Sequence, residues 1–267
     1  MNDLYFLGGV DLEMQTIRRL LDDRRANYVD RQLGWGAKAT AYETEIRDAV
    51  DGGVVPVLVE LDLDLEDEAA CHCVIIDHHG ERASKDAPTA LEQVTERLGI
   101  TPHEFAKNRW WKLVAANDRG HIAAMRKLDP PATDDEVRRV READLSAQGV
   151  TAQMFNDAKE ARSQIRVCAE GRLSIVSIDH DRTGLIAEVL EPFFGGPGYQ
   201  NLIVHGQSQV AFYGNGRIVL HLSQMVEDPT QSWFGGSLPD AGFWGAASSS
   251  LSFDVDAFVL SELSLAD

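Results

Sequence analysis

Apolar residues fall into two kinds of run along the chain, and each kind predicts one type of secondary structure. Continuous runs at residues 4–7, 54–61 and 73–76 have the length and apolar character of buried strands. Helical spacing of apolar positions occurs at residues 12–25 and 42–50. Because strands alternate with helices, this part of the chain is predicted to form βαβ units around a mostly parallel sheet.

Helix and loop signals continue into the middle of the chain. Thr101 precedes a predicted helix that carries apolar positions as far as Val114. Thr133 is followed three residues later by Glu136, the spacing of a capping box at a helix start. Residues 27–39 include two glycines and are expected to form a loop.

A different pattern occupies the last third of the chain. Strands are expected at residues 173–178 and 201–205, with a helix at 184–190 between them. Residues 209–213 and 217–222 are predicted to pair as a hairpin around a Gly-Asn-Gly turn. Strands and a helix in this order predict a compact α+β unit.

These patterns together predict an α/β protein with two domains. Residues 1–130 are expected to form the larger domain around a mostly parallel sheet. Residues 131–168 are expected to form a helical connector, and residues 169–267 a smaller α+β C-terminal domain.

Charge narrows the range of partners. Lys and Arg total 25 against 43 Asp and Glu, which gives a formal net charge of −18. Long nucleic acid is therefore not expected to bind, because phosphate-backbone contacts depend on clustered Lys and Arg. A small phosphorylated ligand is still compatible with this negative charge, because a bound cation makes the electrostatic potential around it positive. With no basic leader at the N-terminus and no apolar run near the roughly 20 residues of a membrane helix, we expect a cytoplasmic protein without a membrane partner.

Three polar residues stand at the end of a predicted strand. Asp77, His78 and His79 follow the apolar run directly, and Gly80 lets the chain turn away. Ligands bind at the carboxyl ends of strands in open parallel sheets. Polar side chains at this place do not serve the core, so they favour a functional site.

The run from Val74 to Gly80 resembles the name-giving motif of the DHH phosphoesterase superfamily. That superfamily includes RecJ-like nucleases, oligoribonucleases, cyclic-dinucleotide phosphodiesterases and a class of inorganic pyrophosphatases. The resemblance implies a larger DHH domain joined to a smaller C-terminal domain. It also implies one or two divalent cations in the cleft between them, commonly Mn²⁺, with Mg²⁺ or another divalent ion as the alternative.

The resemblance further implies a set of site residues. Positions that match the family's metal ligands, in chain order, are Asp11, Glu13, Asp62, His78 and Asp118. His79 would contact the substrate phosphate and act with Asp77 in catalysis. Carboxylate oxygens suit hard divalent cations, and imidazole suits manganese, iron and zinc.

Other readings of these acidic residues stay open. Asp11 and Glu13 could simply be acids favoured at a helix N-terminus. Asp62 could belong to a solvated strand edge with Glu60 and Asp64, and the choice of Asp62 over Asp64 is open.

The chain also departs from the family pattern in its first motif. Leu7 stands where the family usually has a histidine, and Glu13 replaces the motif's second aspartate. One cation, or a weakened pair, is therefore an open alternative, with His121 or His72 as substitute ligands.

Near the C-terminus, Gly235 and Gly236 match a substrate-binding glycine segment of the family, but its histidine is missing. Arg217 is a further candidate for substrate binding because it could supply positive charge. Phe243 and Trp244 are candidates for stacking on a nucleobase.

The sequence therefore predicts a metal-dependent phosphoesterase that acts on a small nucleotide or related phosphoester. The alternative is a degenerate family member that binds such a ligand without hydrolysis. A homodimer, or a structural role in a larger assembly, is left open.

Overall fold

The computed structural model describes residues 2–34, 36–65, 68–84, 86–228 and 231–265. The chain divides into two compact units. The first unit comprises Met1–His78 and Ala87–Gly149, and the second comprises His79–Asp86 and Val150–Asp267.

In the first unit, the described residues form a four-stranded, fully parallel sheet with the strand order β2-β1-β3-β4. The strands are β1 (Asp3–Leu7), β2 (Asn27–Asp30), β3 (Val55–Val59) and β4 (Val74–Ile76). Their parallel direction brings the carboxyl ends of β1, β3 and β4 to one edge of the sheet.

Helices cover this sheet. They are α1 (Leu12–Arg24), α2 (Glu43–Asp51), α3 (Glu68–Cys71), α4 (Ala90–Arg97), α5 (Pro102–Lys107), α6 (Arg109–Arg126) and α7 (Asp134–Ala147). Helix α1 contacts α4, α6 and α7, and its inner face buries Ile17 and Leu21 completely. Burying one such side chain stabilises the fold by about 1.5–3 kcal/mol.

Two details of the first unit differ from the sequence prediction. The expected loop at residues 27–39 contains strand β2, which pairs in parallel with β1; Trp35 lies outside the described residues. The helix expected to run through Val114 is interrupted at Asn108, which ends α5 and caps α6 by accepting a hydrogen bond from the Trp111 backbone N–H at 3.2 Å.

In the second unit, the described residues form a six-stranded mixed sheet with the order β5-β6-β7-β8-β10-β9. The strands are β5 (Arg166–Cys168), β6 (Leu173–Ser177), β7 (Asn201–His205), β8 (Gln209–Asn215), β9 (Ser232–Gly235) and β10 (Ala241–Ala247). The pair β6–β7 is parallel and the other pairs are antiparallel. The fold class predicted from the sequence, a parallel α/β sheet with a second α+β unit, is confirmed.

Four helices are described in the second unit. They are α8 (Ala152–Ala161), α9 (Gly184–Leu190), α10 (Gly216–Met225) and α11 (Val255–Leu265). Residues 131–168, expected to connect the domains, span the boundary between the units, since α7 lies in the first unit and α8 in the second. Throughout the described part of the chain, no helix is both long and apolar enough to cross a membrane.

The predicted hairpin strand at residues 217–222 is wrong. These residues belong to helix α10, and β8 pairs instead with β7 and β10. Asn215 caps the helix by accepting from the Arg217 backbone N–H at 2.9 Å. Ile218 and Leu222, four residues apart, lie on the buried face, so the helical spacing decides the structure.

The close approach of β1 to the end of β3 requires a glycine at position 8. The Gly8 backbone N–H donates to the Val59 carbonyl at 2.9 Å, and a Cβ at Gly8 would lie 2.0 Å from the Glu60 carbonyl oxygen. We expect Gly8→Ala to lower the free energy of unfolding by at least about 1–3 kcal/mol, the usual cost of overpacking. Urea unfolding measures this change.

Gly34→Ala is the matched control, because a Cβ there meets no atom within 4 Å. We expect its stability to stay within about 1 kcal/mol of the wild type. Equal stabilities for the two variants would contradict this account of Gly8.

Candidate metal centre

Four ionisable side chains of the first unit converge on one point. Glu13 lies in the first turn of α1, Glu60 directly follows β3, His78 comes after β4, and Asp118 lies on α6. One ligand atom from each lies within 4.8 Å of the others. Three carboxylates and one imidazole therefore gather at the carboxyl-end edge of the parallel sheet.

His78 is surrounded by carboxylate oxygens. Its Nε2 lies 2.6 Å from Asp118 Oδ2, 3.7 Å from Glu60 Oε1 and 3.9 Å from Glu13 Oε2. The four side chains are at most 10% exposed. The cluster is thus largely shielded from water, and its charges act on each other with little screening.

Burial shifts the pKa values of two of these acids. Loss of water is the main cause that raises the pKa of Glu13 to about 8; the Asp118 carboxylate raises it further, while His78 opposes the shift. Burial, followed by the charge of Asp11, raises the pKa of Glu60 well above its ordinary value. Such shifts show that the fold holds these carboxylates together at an electrostatic cost.

The donor set fits a divalent cation. Its carboxylate oxygens suit hard cations, and its single imidazole extends the fit to manganese, iron or zinc. A cation among the four groups would favour the ionised carboxylates and offset the cost of burying them. The sequence prediction placed Glu13, His78 and Asp118 in such a site, and the structure brings these three together.

Backbone groups fix the first motif at the start of α1. Asp11 is the N-cap, and its Oδ1 accepts from the Met14 backbone N–H at 2.8 Å. Glu13 Oε1 accepts from the Leu91 backbone N–H at 3.0 Å, which leaves Oε2 as the oxygen nearer His78. Asp11 therefore does act as the helix cap that the alternative reading suggested, and its charge also raises the pKa of Glu13 and Glu60.

Glu60 is the cluster residue that the sequence prediction missed. The sequence predicts Asp62 as the metal ligand at the end of this strand, but Asp62 is exposed and its backbone bridges to Lys38 outside the cluster. Glu60 is the first residue after β3 and has a left-handed backbone with φ of 53°. In the sequence, the position of Glu60 directly after the apolar run of β3 is the one feature that indicates a place in the cluster.

The other candidates for metal and catalytic roles lie in different settings. Asp77 follows β4; its backbone carbonyl accepts from Gln93 Nε2 at 3.2 Å, and its charge contributes to the raised pKa of Glu60. Among the described residues, neither His121 nor His72 joins the cluster, and both are exposed.

His79 belongs to the second unit, where it packs beside the glycine segment. Its ring centroid lies 6.4 Å from that of Phe243, and a Cβ at Gly235 would come within 3.0 Å of both rings. Gly236 follows with a φ of 110°, a conformation that favours glycine. The structure therefore brings His79 and Gly235 together, as two members of the predicted substrate-binding set.

Two further candidates in the second unit take other positions. Arg217 is exposed in the first turn of α10 rather than on a hairpin strand. Trp244 is fully buried in the core of the second unit, so it does not serve as a stacking platform.

Comparisons with known proteins give matches in structure only. No protein-family model matches the chain, and no curated protein matches it in sequence. RecJ from Thermus thermophilus in complex with Mn²⁺ is similar at 11% identity and a TM-score of 0.45, covering 98% of this chain and 52% of that chain. This chain thus spans about half the length of that protein.

Two other solved structures are similar over nearly the whole chain. An exonuclease RecJ bound to manganese is 10% identical with a TM-score of 0.39, covering 98% of this chain and 88% of that chain. The pGpG-specific phosphodiesterase PggH from Vibrio cholerae is 12% identical with a TM-score of 0.33, covering 99% of both chains. Because these TM-scores lie below 0.5, the function proposed below rests on the side chains of this chain.

The raised pKa of Glu13 makes the stability of the metal-free protein depend on pH. An acid whose pKa is higher in the folded protein than in the unfolded chain loses stability as pH rises between the two values. For Glu13 this interval runs from 4.5 to about 8. In this interval, the stability of the wild type relative to Glu13→Gln should fall by up to about 1.4 kcal/mol per pH unit.

Urea unfolding with a chelator, across the same pH range, measures this difference. Glu43→Gln is the control, since Glu43 is exposed and pairs only at the surface with Arg47 at 2.7 Å. Because this pair is exposed to solvent, Glu43→Gln should change the free energy of unfolding by no more than about 1 kcal/mol. A stability difference between the wild type and Glu13→Gln that does not change with pH would contradict the raised pKa of Glu13.

Proposed function

We propose that this protein is a metal-dependent phosphoesterase that hydrolyses a small nucleotide or related phosphoester. The observation that supports the proposal is the buried cluster of Glu13, Glu60, His78 and Asp118 at the carboxyl-end edge of a parallel sheet. These four residues would hold a divalent cation, with Mn²⁺ as the first choice. When bound, such a cation supplies Lewis-acid polarisation of a phosphoryl oxygen and neutralises developing charge.

The surroundings of the cluster favour a single cation. Leu7 is completely buried and apolar where the superfamily usually has a histidine, so it offers no ligand. Asp62 lies outside the cluster. The four remaining donors are sufficient for one cation with open positions for water or substrate.

The chain's own residues prepare this site in two ways. The Leu91 backbone N–H holds one oxygen of Glu13, which orients the carboxylate before any ligand arrives. Low exposure of the four side chains keeps bulk water away from the reacting groups, which strengthens electrostatic interactions there.

Substrate binding is proposed to involve the loop that begins with His79. His79 follows the ligand His78 directly in the chain, and its imidazole would donate to a substrate phosphate oxygen. Gly235 supports this arrangement, because any larger residue would press on the His79 ring. Asp77 is retained as a catalytic candidate at the end of β4, directly before His78 and His79 in the chain.

The charge of the protein favours a small substrate. A net charge of −18 opposes the binding of long nucleic acid, whereas a short phosphoester depends mainly on the local field of a bound cation. We propose action on such a substrate in the cytoplasm.

A second candidate function is ligand binding without hydrolysis. The observation that favours it is the buried Leu7 in place of a potential ligand, which reduces the number of metal donors. The metal content of purified protein and the turnover of a substrate panel separate the two functions.

Hydrolysis should depend on both the cation and His78. We expect wild-type protein with Mn²⁺ to release nitrophenol from bis(p-nitrophenyl) phosphate or to cleave dinucleotides, and His78→Ala to lower the rate by at least about 100-fold. Exposed His221, which pairs with Glu262, provides the control variant His221→Ala with wild-type activity expected. No turnover by the wild type with any of several divalent cations would overturn the phosphoesterase proposal.

Glu60 and Asp62 offer a matched pair of substitutions, two residues apart. We expect Glu60→Gln to weaken Mn²⁺ binding by about tenfold or more, because it removes a charged ligand from the cluster. Asp62→Asn should leave the affinity within about twofold of the wild type. Isothermal titration calorimetry measures both, and the reverse order of effects would assign the ligand to Asp62.

A further inference from the structure

Helix α7 carries a buried ion pair close to the cluster of Glu13, Glu60, His78 and Asp118. Arg141 Nη1 donates to Asp144 Oδ2 at 2.8 Å, and both residues are 4% exposed. Gln148 Nε2 also donates to Asp144 Oδ2, at 3.1 Å. Helix α7 packs against α1 and α6, the two helices that carry Glu13 and Asp118.

The ion pair makes one hydrogen bond to each of these helices. Asp144 Oδ1 accepts from the Leu12 backbone N–H at 3.1 Å, and Leu12 directly precedes Glu13. Arg141 Nη1 donates to Asn117 Oδ1 at 2.8 Å, and Asn117 directly precedes Asp118. The pair thus contacts the immediate chain neighbours of two cluster carboxylates.

Two backbone N–H groups at the start of α1 find acceptors in carboxylate side chains. The first backbone N–H groups of a helix have no partner within the helix. Asp11 provides an acceptor for Met14, and Asp144, from a distant part of the chain, provides one for Leu12. The orientation of the first turn, and with it of Glu13, therefore depends on α7.

Stability alone does not account for this ion pair. Buried ion pairs are costly to desolvate, and well-packed apolar side chains in their place often give equal or higher stability. The Glu13 and Asp118 carboxylates also repel each other when ionised, and this repulsion favours a larger separation between them. The pair is placed where it opposes such a separation.

We propose that Arg141 and Asp144 are positioning residues, which hold Glu13 and Asp118 at the separation required for cation binding. The inference rests on one part of the proposed function, namely that the cluster binds a divalent cation. It does not require hydrolysis. Its readout is therefore the affinity for Mn²⁺ alone, measured by calorimetry on the full chain.

The test replaces the pair by apolar residues of similar size, Arg141→Met with Asp144→Leu, so that no buried charge is left without its partner. We expect this double variant to remain folded with a lower melting temperature, because the Leu12 N–H and Asn117 Oδ1 lose their buried partners, and to bind Mn²⁺ about 10–100-fold more weakly. Asn117→Ala is a second and milder variant, which removes one hydrogen bond and leaves the ion pair intact. It should weaken Mn²⁺ binding in the same direction.

Another ion pair, which joins α6 to α7, serves as the control. Arg109 donates from Nε and Nη2 to the two carboxylate oxygens of Glu136, both at 2.8 Å, and neither residue neighbours a cluster carboxylate in the chain. Arg109→Met with Glu136→Gln should lower the melting temperature while the Mn²⁺ affinity stays within about twofold.

The outcomes separate this inference from the proposed function. Wild-type Mn²⁺ affinity in folded Asn117→Ala, or in the folded Arg141→Met/Asp144→Leu variant, would overturn the positioning role even if the protein is an active hydrolase. Weakened binding in these variants supports that role even if the wild type hydrolyses nothing. Failure of the wild type to bind Mn²⁺ would overturn both the positioning role and the metal site.

Discussion

Crowding of three buried carboxyl groups, which repel one another when ionised, is the constraint on which the candidate metal centre depends. Two ionised carboxylates whose oxygens lie within the 4.8 Å of the cluster repel by at least about 3–4 kcal/mol at an effective dielectric constant of about 20. Three carboxylates share that space with one imidazole. Such a group persists only if the surrounding fold holds each member in place independently of the others.

Several elements of the parallel sheet and its helices hold the members of the cluster in place. The ends of β3 and β4 fix Glu60 and His78, while the Leu91 backbone fixes Glu13. The ion pair on α7 adds anchors beside Glu13 and Asp118. These anchors come from separate elements, so the cluster is held by more than one part of the first unit.

Sequence reasoning succeeded where one local pattern decided the outcome. The strands that became β1, β3 and β4 are short apolar runs, and α1 shows clear helical spacing, so periodicity was sufficient. It failed where contacts with other parts of the chain determine the secondary structure. Residues 27–30 form strand β2 because they pair with the edge of β1. Residues 216–225 form helix α10, whose first turn is capped by Asn215. Glu60 was missed because residue spacing does not reveal the direction in which a chain turns after a strand.

The left-handed backbone of Glu60 has a consequence for how this site can change during evolution. In a continuing strand, residues 60 and 62 would point to the same face. The left-handed residue ends the extended run, so Glu60 joins the cluster while Asp62 stays at the surface. One backbone torsion therefore selects which of these two acidic residues joins the cluster. A turn placed two residues later would bring residue 62 into the cluster instead of residue 60, with no change in the number of acidic residues.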